Sequence, residues 1–209
     1  MVKKEKNGIY IILSSPSGAG KTTIARKLVK KDKNLKLSIS YTTRIKRSNE
    51  KDKKDYFFIT KKEFNSLKKK GFFIEWAKVF NNYYGTSLSK TKKIFHSGKD
   101  ILFDIDWQGS RTIKKKIGQN VINIFILPPT KKELIKRLNK RAQDPKDVVK
   151  QRLSFFKTEL SHWKEYQYVL INDDLQKTTN NILSIINSER IKRSKFFYIK
   201  NIIKSLEKK

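Results

Sequence analysis

The stretch Ile9-Tyr-Ile-Ile-Leu-Ser-Ser-Pro-Ser-Gly-Ala-Gly-Lys-Thr22 joins an apolar run to a small-residue loop closed by Gly20, Lys21 and Thr22. Ile9 to Leu13 has the length and β-branched content of a buried strand, and beyond Thr22 the residues Ile24, Leu28 and Val29 recur at helical spacing. Strand, loop and helix thus follow in the order that a phosphate-binding turn requires. In such a turn successive backbone N–H groups converge at the positive end of a helix dipole, where an anion is favoured. Lys21 adds a mobile charge for terminal phosphates, and Thr22 adds a hydroxyl for Mg2+. The pattern G-x-x-x-x-G-K-[ST] carries Ser15 in place of its first glycine, and a Gly-Ala-Gly turn by itself would also suit a structural bend. The strand before and the helix after favour phosphate.

The 209 residues suffice for a single α/β domain burying roughly 70% of its unfolded surface. No apolar run has membrane-spanning length, and Met1 to Asn7 lacks the apolar core of a signal peptide, so a cytoplasmic protein is expected. Without cysteine there is no disulfide framework and no thiolate metal site. Lys+Arg 50 against Asp+Glu 19 gives a formal charge of +31, which suits nucleic acid, anionic membranes or phosphorylated substrates. Lysine is nevertheless spread over almost every segment rather than gathered on one face. No specific nucleic acid and no membrane is therefore expected as a partner. Arginine is scarcer, and Arg44, Arg47, Arg137, Arg141 and Arg152 form two clusters where a planar bidentate fork would suit phosphate.

Farther along, Leu35 to Ser40 alternates as a half-buried strand, and a polar loop to Asp55 holds Arg44 and Arg47. Two guanidinium groups at that spacing suit one anion, and equally a solvated basic loop. Tyr56 to Ile59 reads as a short strand, and Thr60-Lys-Lys-Glu63 as a capping box opening a helix that stops at Gly71. Glu75 lies inside the apolar strand Phe72 to Val79, where an acid must find a partner or face water. A helix from about Ser87 to His96 follows the turn residues Asn81 to Thr86. His96 and His162 read as surface or packing residues rather than acid–base groups.

Ile101 to Asp106 is another buried strand whose acids, Asp104 and Asp106, alternate onto one face near its carboxyl end. Ligands of open parallel sheets gather there. Val121 to Leu127 is a further strand, Thr130-Lys-Lys-Glu133 a second capping box, and Asp144-Pro145 a helix start. Tyr168 to Ile171 closes the strand series, and Asn172-Asp-Asp174 caps a helix reaching Arg190. Alternation of strands and helices predicts a parallel sheet covered on both faces. The interruption over about 41–90 predicts a lobe above the carboxyl edge.

An ordered set of stretches now resembles the guanylate kinase family, in the nucleoside monophosphate kinase group of P-loop phosphotransferases. They are Ser15-Pro-Ser-Gly-Ala-Gly-Lys, Ser40-Tyr-Thr-Thr-Arg-Ile-Lys-Arg47, Asp55-Tyr56, Phe73-Ile-Glu-Trp76, Asn82-Tyr-Tyr-Gly-Thr86, Asp104-Ile-Asp-Trp-Gln-Gly109, Phe125-Ile-Leu-Pro-Pro129 and Val169-Leu-Ile-Asn-Asp-Asp174. The resemblance spans about Gly8 to Arg190. It implies a P-loop kinase core with a parallel five-stranded sheet (about 8–40, 91–128 and 158–190), a GMP-binding lobe (about 41–90) and a helical lid (about 129–157). One domain of 209 residues would hold them all, with a basic extension from about 191.

The activity implied is ATP-dependent phosphorylation of GMP or dGMP, with Mg2+, in purine metabolism. By the same resemblance Ser15, Pro16, Ser17, Gly18, Ala19, Gly20, Lys21, Thr22 and Asn172 would bind ATP. Arg44, Arg47, Tyr56 and Tyr84 would hold the GMP phosphate. Ser40, Glu75, Gly85, Thr86 and Asp104 would surround the guanine. Thr22 and Asp106 would serve the metal. Lys21, Arg44, Arg137, Arg141 and Arg152 would neutralise the transferring phosphoryl group, a task that needs cations more than a base.

The chain departs from the family pattern at several points. Ser15 replaces a smaller residue, and prolines are missing around Ile45-Lys46 and Ser48-Asn49. Lys53-Lys54 stand where a glycine is common, Trp107 is unusually bulky, and Ala142 replaces a glycine after the lid arginines. None removes a charged group. A scaffold domain of this fold generally lacks a working phosphate loop, whereas Lys21 and Thr22 are present here. Past Ile191 the resemblance ends, and Phe196, Ile199, Ile203 and Leu206 form a helical stripe expected to pack on the body or on a second subunit.

Overall fold

The computed structural model describes residues 8–118, 121–140, 146–192 and 199–207. Its core sheet joins β1 (Tyr10–Ser14), β2 (Leu35–Ser38), β7 (Asp100–Asp104), β8 (Val121–Leu127) and β9 (Tyr168–Ile171). The order is β2-β7-β1-β8-β9, and every pairing is parallel. The fold is therefore the expected α/β one.

Alternation along β1 decides the layers, since neighbouring side chains of a strand leave opposite faces. Ile11 and Leu13 enter one apolar cluster with Ile24, Ala25 and Leu28 of α1 (Lys21–Lys31) and Ile182 and Ile186 of α7 (Leu175–Arg190). Ile12 enters the other with Phe103 of β7 and Ile113 of α4 (Trp107–Ile117), flanked by Ile94 and Phe95 of α3 (Leu88–His96). Asn123 is the polar exception inside β8. It is fully buried, donates Nδ2 to the Glu165 carbonyl at 2.9 Å and exchanges two bonds with Gln167, which docks the chain entering edge strand β9.

A second sheet, order β4-β3-β6-β5, is built from β3 (Tyr41–Thr42), β4 (Phe57–Phe58), β5 (Phe73–Val79) and β6 (Asn82–Ser87). With α2 (Lys61–Lys69) it makes a lobe over residues 41–87. Thr60 and Glu63 form the capping box at the start of α2. Lys53, where the resemblance leads one to look for glycine, takes the glycine conformation at φ 61. At the second box the Glu133 N–H binds Thr130 Oγ1 at 3.1 Å, but the Glu133 carboxylate turns to Arg137. His162 stacks on Trp107 at 3.7 Å between ring centroids, a packing role that explains the bulky residue.

Helices α5 (Lys131–Lys140) and α6 (Lys146–Ser161) follow β8. Arg141, Ala142 and the Asp144-Pro145 cap lie outside the described residues, as do Phe196 and the side chain of Arg152. In α8 (Ile199–Glu207), Ile203 and Leu206 are exposed rather than packed on the body. Among the described residues no helix is long and apolar enough to cross a membrane.

The amino-terminal edge of the core sheet is held by charge. Asp100, 2% exposed, accepts the Ile9 N–H at 2.9 Å and the Asn34 amide at 3.1 Å, and Arg190 Nε at 2.7 Å. Arg190 also reaches Asp32 at 2.6 Å, tying the ends of α1 and α7 to β7. Removing the cation strands two carboxylates, one of them deep. Arg190→Ala should cost about 3 kcal/mol, the low end for a buried pair, read as a lower urea midpoint at an unchanged m-value.

Candidate active site

The loop after β1 is shaped by glycines at φ 93 (Gly18) and φ 100 (Gly20). Gly20 opens α1 and brings no side chain to its first-turn N–H groups, the arrangement that attracts an anion. A Cβ on Gly20 would lie 2.6 Å from Asn172 Nδ2, so only glycine fits there. Asn172, buried after β9, donates Nδ2 to the Ala19 carbonyl at 2.8 Å. Arg137 of α5 donates to the Ala19 carbonyl at 3.4 Å and to the Asn172 carbonyl at 3.2 Å, with Nε on Glu133 at 2.9 Å. The outer wall of the loop is thus clamped by residues far along the chain. Ser15 turns its hydroxyl to the Pro16 carbonyl at 2.9 Å, and the Ser17 N–H donates to Glu159 Oε2 of α6, also at 2.9 Å.

Lys21 crosses from the loop to β7, where Nζ meets Asp104 Oδ1 at 2.7 Å and the Ile105 carbonyl at 3.0 Å. Strand β7 ends at Asp104, two residues short of the expectation, so the alternation that was to carry both acids onto one face stops there. Asp106 instead caps α4, accepting the Gly109 N–H at 2.9 Å and the Gln108 amide at 3.0 Å. Asp104 lies on the lysine of the loop, and Asp106 is close enough to Glu75 for its charge to act on it.

On the lobe side Arg44 and Arg47 converge through Glu50. Its carboxylate accepts Arg44 Nη2 at 2.7 Å, the Arg47 N–H at 2.9 Å and Arg47 Nη1 at 3.4 Å. Burial would raise the Glu50 carboxyl, but these bonds and both guanidinium charges outweigh it and hold it below the usual range. The Arg44 guanidinium also lies 5.4 Å from the Tyr56 ring centroid, and Tyr56 meets Tyr84 edge to face at 6.1 Å. Burial, joined by the Asp104 charge, pushes the Tyr56 phenol up, so it remains a donor. Arg44, Arg47, Tyr56 and Tyr84 are thus neighbours, a set of cations and phenol donors whose chemistry suits a dianion.

Glu75 is 3% exposed and its partner is Thr86, whose hydroxyl donates at 2.6 Å. Ser40 Oγ lies 3.4 Å from Thr86 Oγ1, so the hydroxyls continue the chain. The other carboxylate oxygen faces the start of α4, where a Cβ on Gly109 would come within 2.8 Å. Burial pushes the Glu75 carboxyl up to about 7, helped by Asp106 and opposed by the Thr86 bond. Gly85 differs from its neighbours: its missing Cβ would strike Phe73 at 2.9 Å, which places it in the lobe's packing.

The fold gathers Lys21, Asp104, Tyr56, Tyr84, Arg44 and Arg47 at the carboxyl edge, and Glu75, Thr86 and Ser40 beside them. Two residues that join the site had escaped the sequence reading. Glu50 resembled one more charge in a charged loop, although an acid three residues after Arg47 was the available signal. Glu159 left none.

Comparison with known proteins points to one family. The chain is 46% identical to a guanylate kinase of Bartonella henselae over 98% of its own length and 91% of the relative. It is 43% identical to one of Agrobacterium fabrum over 96% and 91%. The crystal structure of guanylate kinase from Anaplasma phagocytophilum superposes with a TM-score of 0.82 at 34% identity, covering 96% of each chain. Residues 7–189 match the family profile of guanylate kinase, and the chain belongs to that family.

Proposed function

We infer that the chain transfers the γ-phosphoryl group of ATP to GMP or dGMP, with the donor on the loop of Ser15 to Thr22 and the acceptor in the inserted lobe. The observation that carries the acceptor's identity is buried Glu75 on Thr86. Guanine presents N1–H and its N2 amino group side by side, and one carboxylate accepts both. Adenine would set an acceptor against that acid and leave it unpaired in a buried site, the kind of mismatch that discriminates strongly. A non-catalytic binding module is not favoured, because Lys21, Thr22 and the convergent arginines are all retained.

Mg2+ suits the oxygen donors present, which are the Thr22 hydroxyl at the head of α1 and the carboxylate that the fold sets on Lys21. The placement of the two aspartates supports Asp104 on the metal side and Asp106 toward guanine, a division different from the one the resemblance implied. When bound, the ion neutralises the phosphate oxygens and fixes the donor's orientation. The protein's own part is positional. Glu50 holds Arg44 and Arg47 ready to fork the GMP phosphate, and the Tyr56 and Tyr84 hydroxyls donate beside them. Lys21 moves its charge to the bridging oxygens, and Arg137 spans the loop and the Asn172 strand end. No side chain need accept a proton until the charge has developed.

With ATP and Mg2+, ADP should form at speed with GMP or dGMP and poorly with AMP, CMP or UMP, in a coupled assay. Equal turnover with AMP would remove the guanine assignment. Lys21→Met should lower kcat by roughly 100-fold or more while GMP still binds by calorimetry; loss of GMP binding too would contradict the split into donor and acceptor sites.

The Glu75 carboxyl must be ionised to accept both guanine donors. Because its pKa is raised to about 7, the competent fraction grows as pH rises through neutrality. KM for GMP should therefore increase as pH falls from 8 to 6, approaching about ten-fold per unit below the pKa. Glu75→Gln should show a high KM with only the residual slope of the substrate's phosphate; an identical slope in both proteins would exclude Glu75.

A further inference from the structure

Strand β5 carries one residue more than its partner just before Glu75. Phe73 stands opposite Ser87 and Glu75 opposite Thr86, so two steps along β5 match one along β6 and Ile74 is the extra residue. A bulge of this kind bends the strand and re-aims the side chain beside it, and such bulges recur next to active sites. Phe73, Ile74 and Glu75 are accordingly buried in succession, where a regular strand with one covered face would bury alternate residues.

Helix α4 holds this bulge at two points. The Ile74 side chain enters the apolar cluster that contains Ile113 of α4 and Phe103 of β7. The Ile74 carbonyl accepts Lys116 Nζ, from the last turn of the same helix. Because β5 is an edge of its sheet, a carbonyl on its outer side has no further strand to bond. Lys116 is exposed, and an exposed lysine is ordinarily a free solvated charge, yet this one is bound to the backbone beside the buried acid. The groups that act on Glu75 are the Asp106 carboxylate ahead of α4, Lys116 at its end and the Thr86 hydroxyl of β6, with the Ser40 hydroxyl beyond. Among them the lysine favours the ionised carboxylate, against burial and the Asp106 charge.

We propose that Lys116 is a positioning residue for guanine specificity, pinning the Ile74 bulge so that the Glu75 carboxylate meets the N1–H and the N2 amino group together. The inference rests on the guanine assignment made for Glu75 above. Lys116 acts through the backbone of Ile74 and through its charge, not by contact with the nucleotide. Two parallel bonds to one carboxylate depend on its orientation more than a single bond does. A purine that keeps N1–H but lacks the 2-amino group can use only one of the two, and so reports that orientation.

The test compares steady-state kinetics with GMP and with inosine monophosphate, which lacks the 2-amino group, in the unaltered full chain and in Lys116→Met, Lys116→Arg and Glu75→Gln. Lys116→Met should raise KM for GMP by about ten-fold, the lower end of what a hydrogen bond to a charged group is worth. KM for inosine monophosphate should rise less, so the preference for GMP narrows. The kcat at saturating GMP should stay unchanged, the signature of lost binding rather than lost chemistry. Lys116→Arg keeps a cation and a donor and should retain most of the affinity and the preference. The pH profile separates a positioned charge from mere loosening. Loss of the cation disfavours the ionised acid, so the fall of KM with rising pH should move to higher pH in Lys116→Met, whereas a loosened strand that admitted water would move it lower. Neither KM nor this midpoint depends on the fraction of chains that fold. An unchanged KM and preference in Lys116→Met, a midpoint unmoved or moved downward, or an arginine variant no better than methionine would overturn the proposal. The guanine reading stands through any of these as long as Glu75→Gln loses the preference for GMP. A Glu75→Gln protein that keeps it removes that reading and the proposal together.

Discussion

Lys21 and Asp104 can form an ion pair because β1 and β7 are adjacent parallel strands, registered so that Leu13 stands opposite Asp104. From that register much of the site follows. Both strands end together at the carboxyl edge, one into a phosphate loop and the other into the segment that caps α4. The inserted lobe then needs only to lean over this edge for its arginines and tyrosines to face the lysine. Shifting β7 by one residue would turn Asp104 to the opposite face.

Much of this was legible in the sequence. The apolar strand before Ser15, the periodic helix after Lys21 and the alternating order of elements led to the doubly covered sheet, because burial on both faces leaves a plain apolar signature. Glu75 announced itself by being an acid in an apolar strand. The different partners of Asp104 and Asp106 were not legible. Alternation holds only while a strand lasts, and β7 stops where Asp106 is taken by a helix cap. Glu50 was hidden because its neighbours are also charged, so nothing in composition separates a buried anchor from a solvated acid. The contacts of α6 depend on its rotation about its own axis, and one of them spans 142 residues.

The electrostatics of the site are economical in sign. Lys21 rests on one carboxylate, while Arg44 and Arg47 share another. Each like-charged group thus has a local counter-charge that holds it in shape before a polyanion arrives. Burial keeps the phenol of Tyr56 protonated, so it can donate a hydrogen bond without adding negative charge.

The Asp100–Arg190 cluster lies at the opposite edge of the same sheet from the phosphate loop. A strand's length therefore separates the charges that hold the molecule together from those that handle nucleotides. Added salt would screen the spread charge of +31 while leaving these partly buried pairs largely intact.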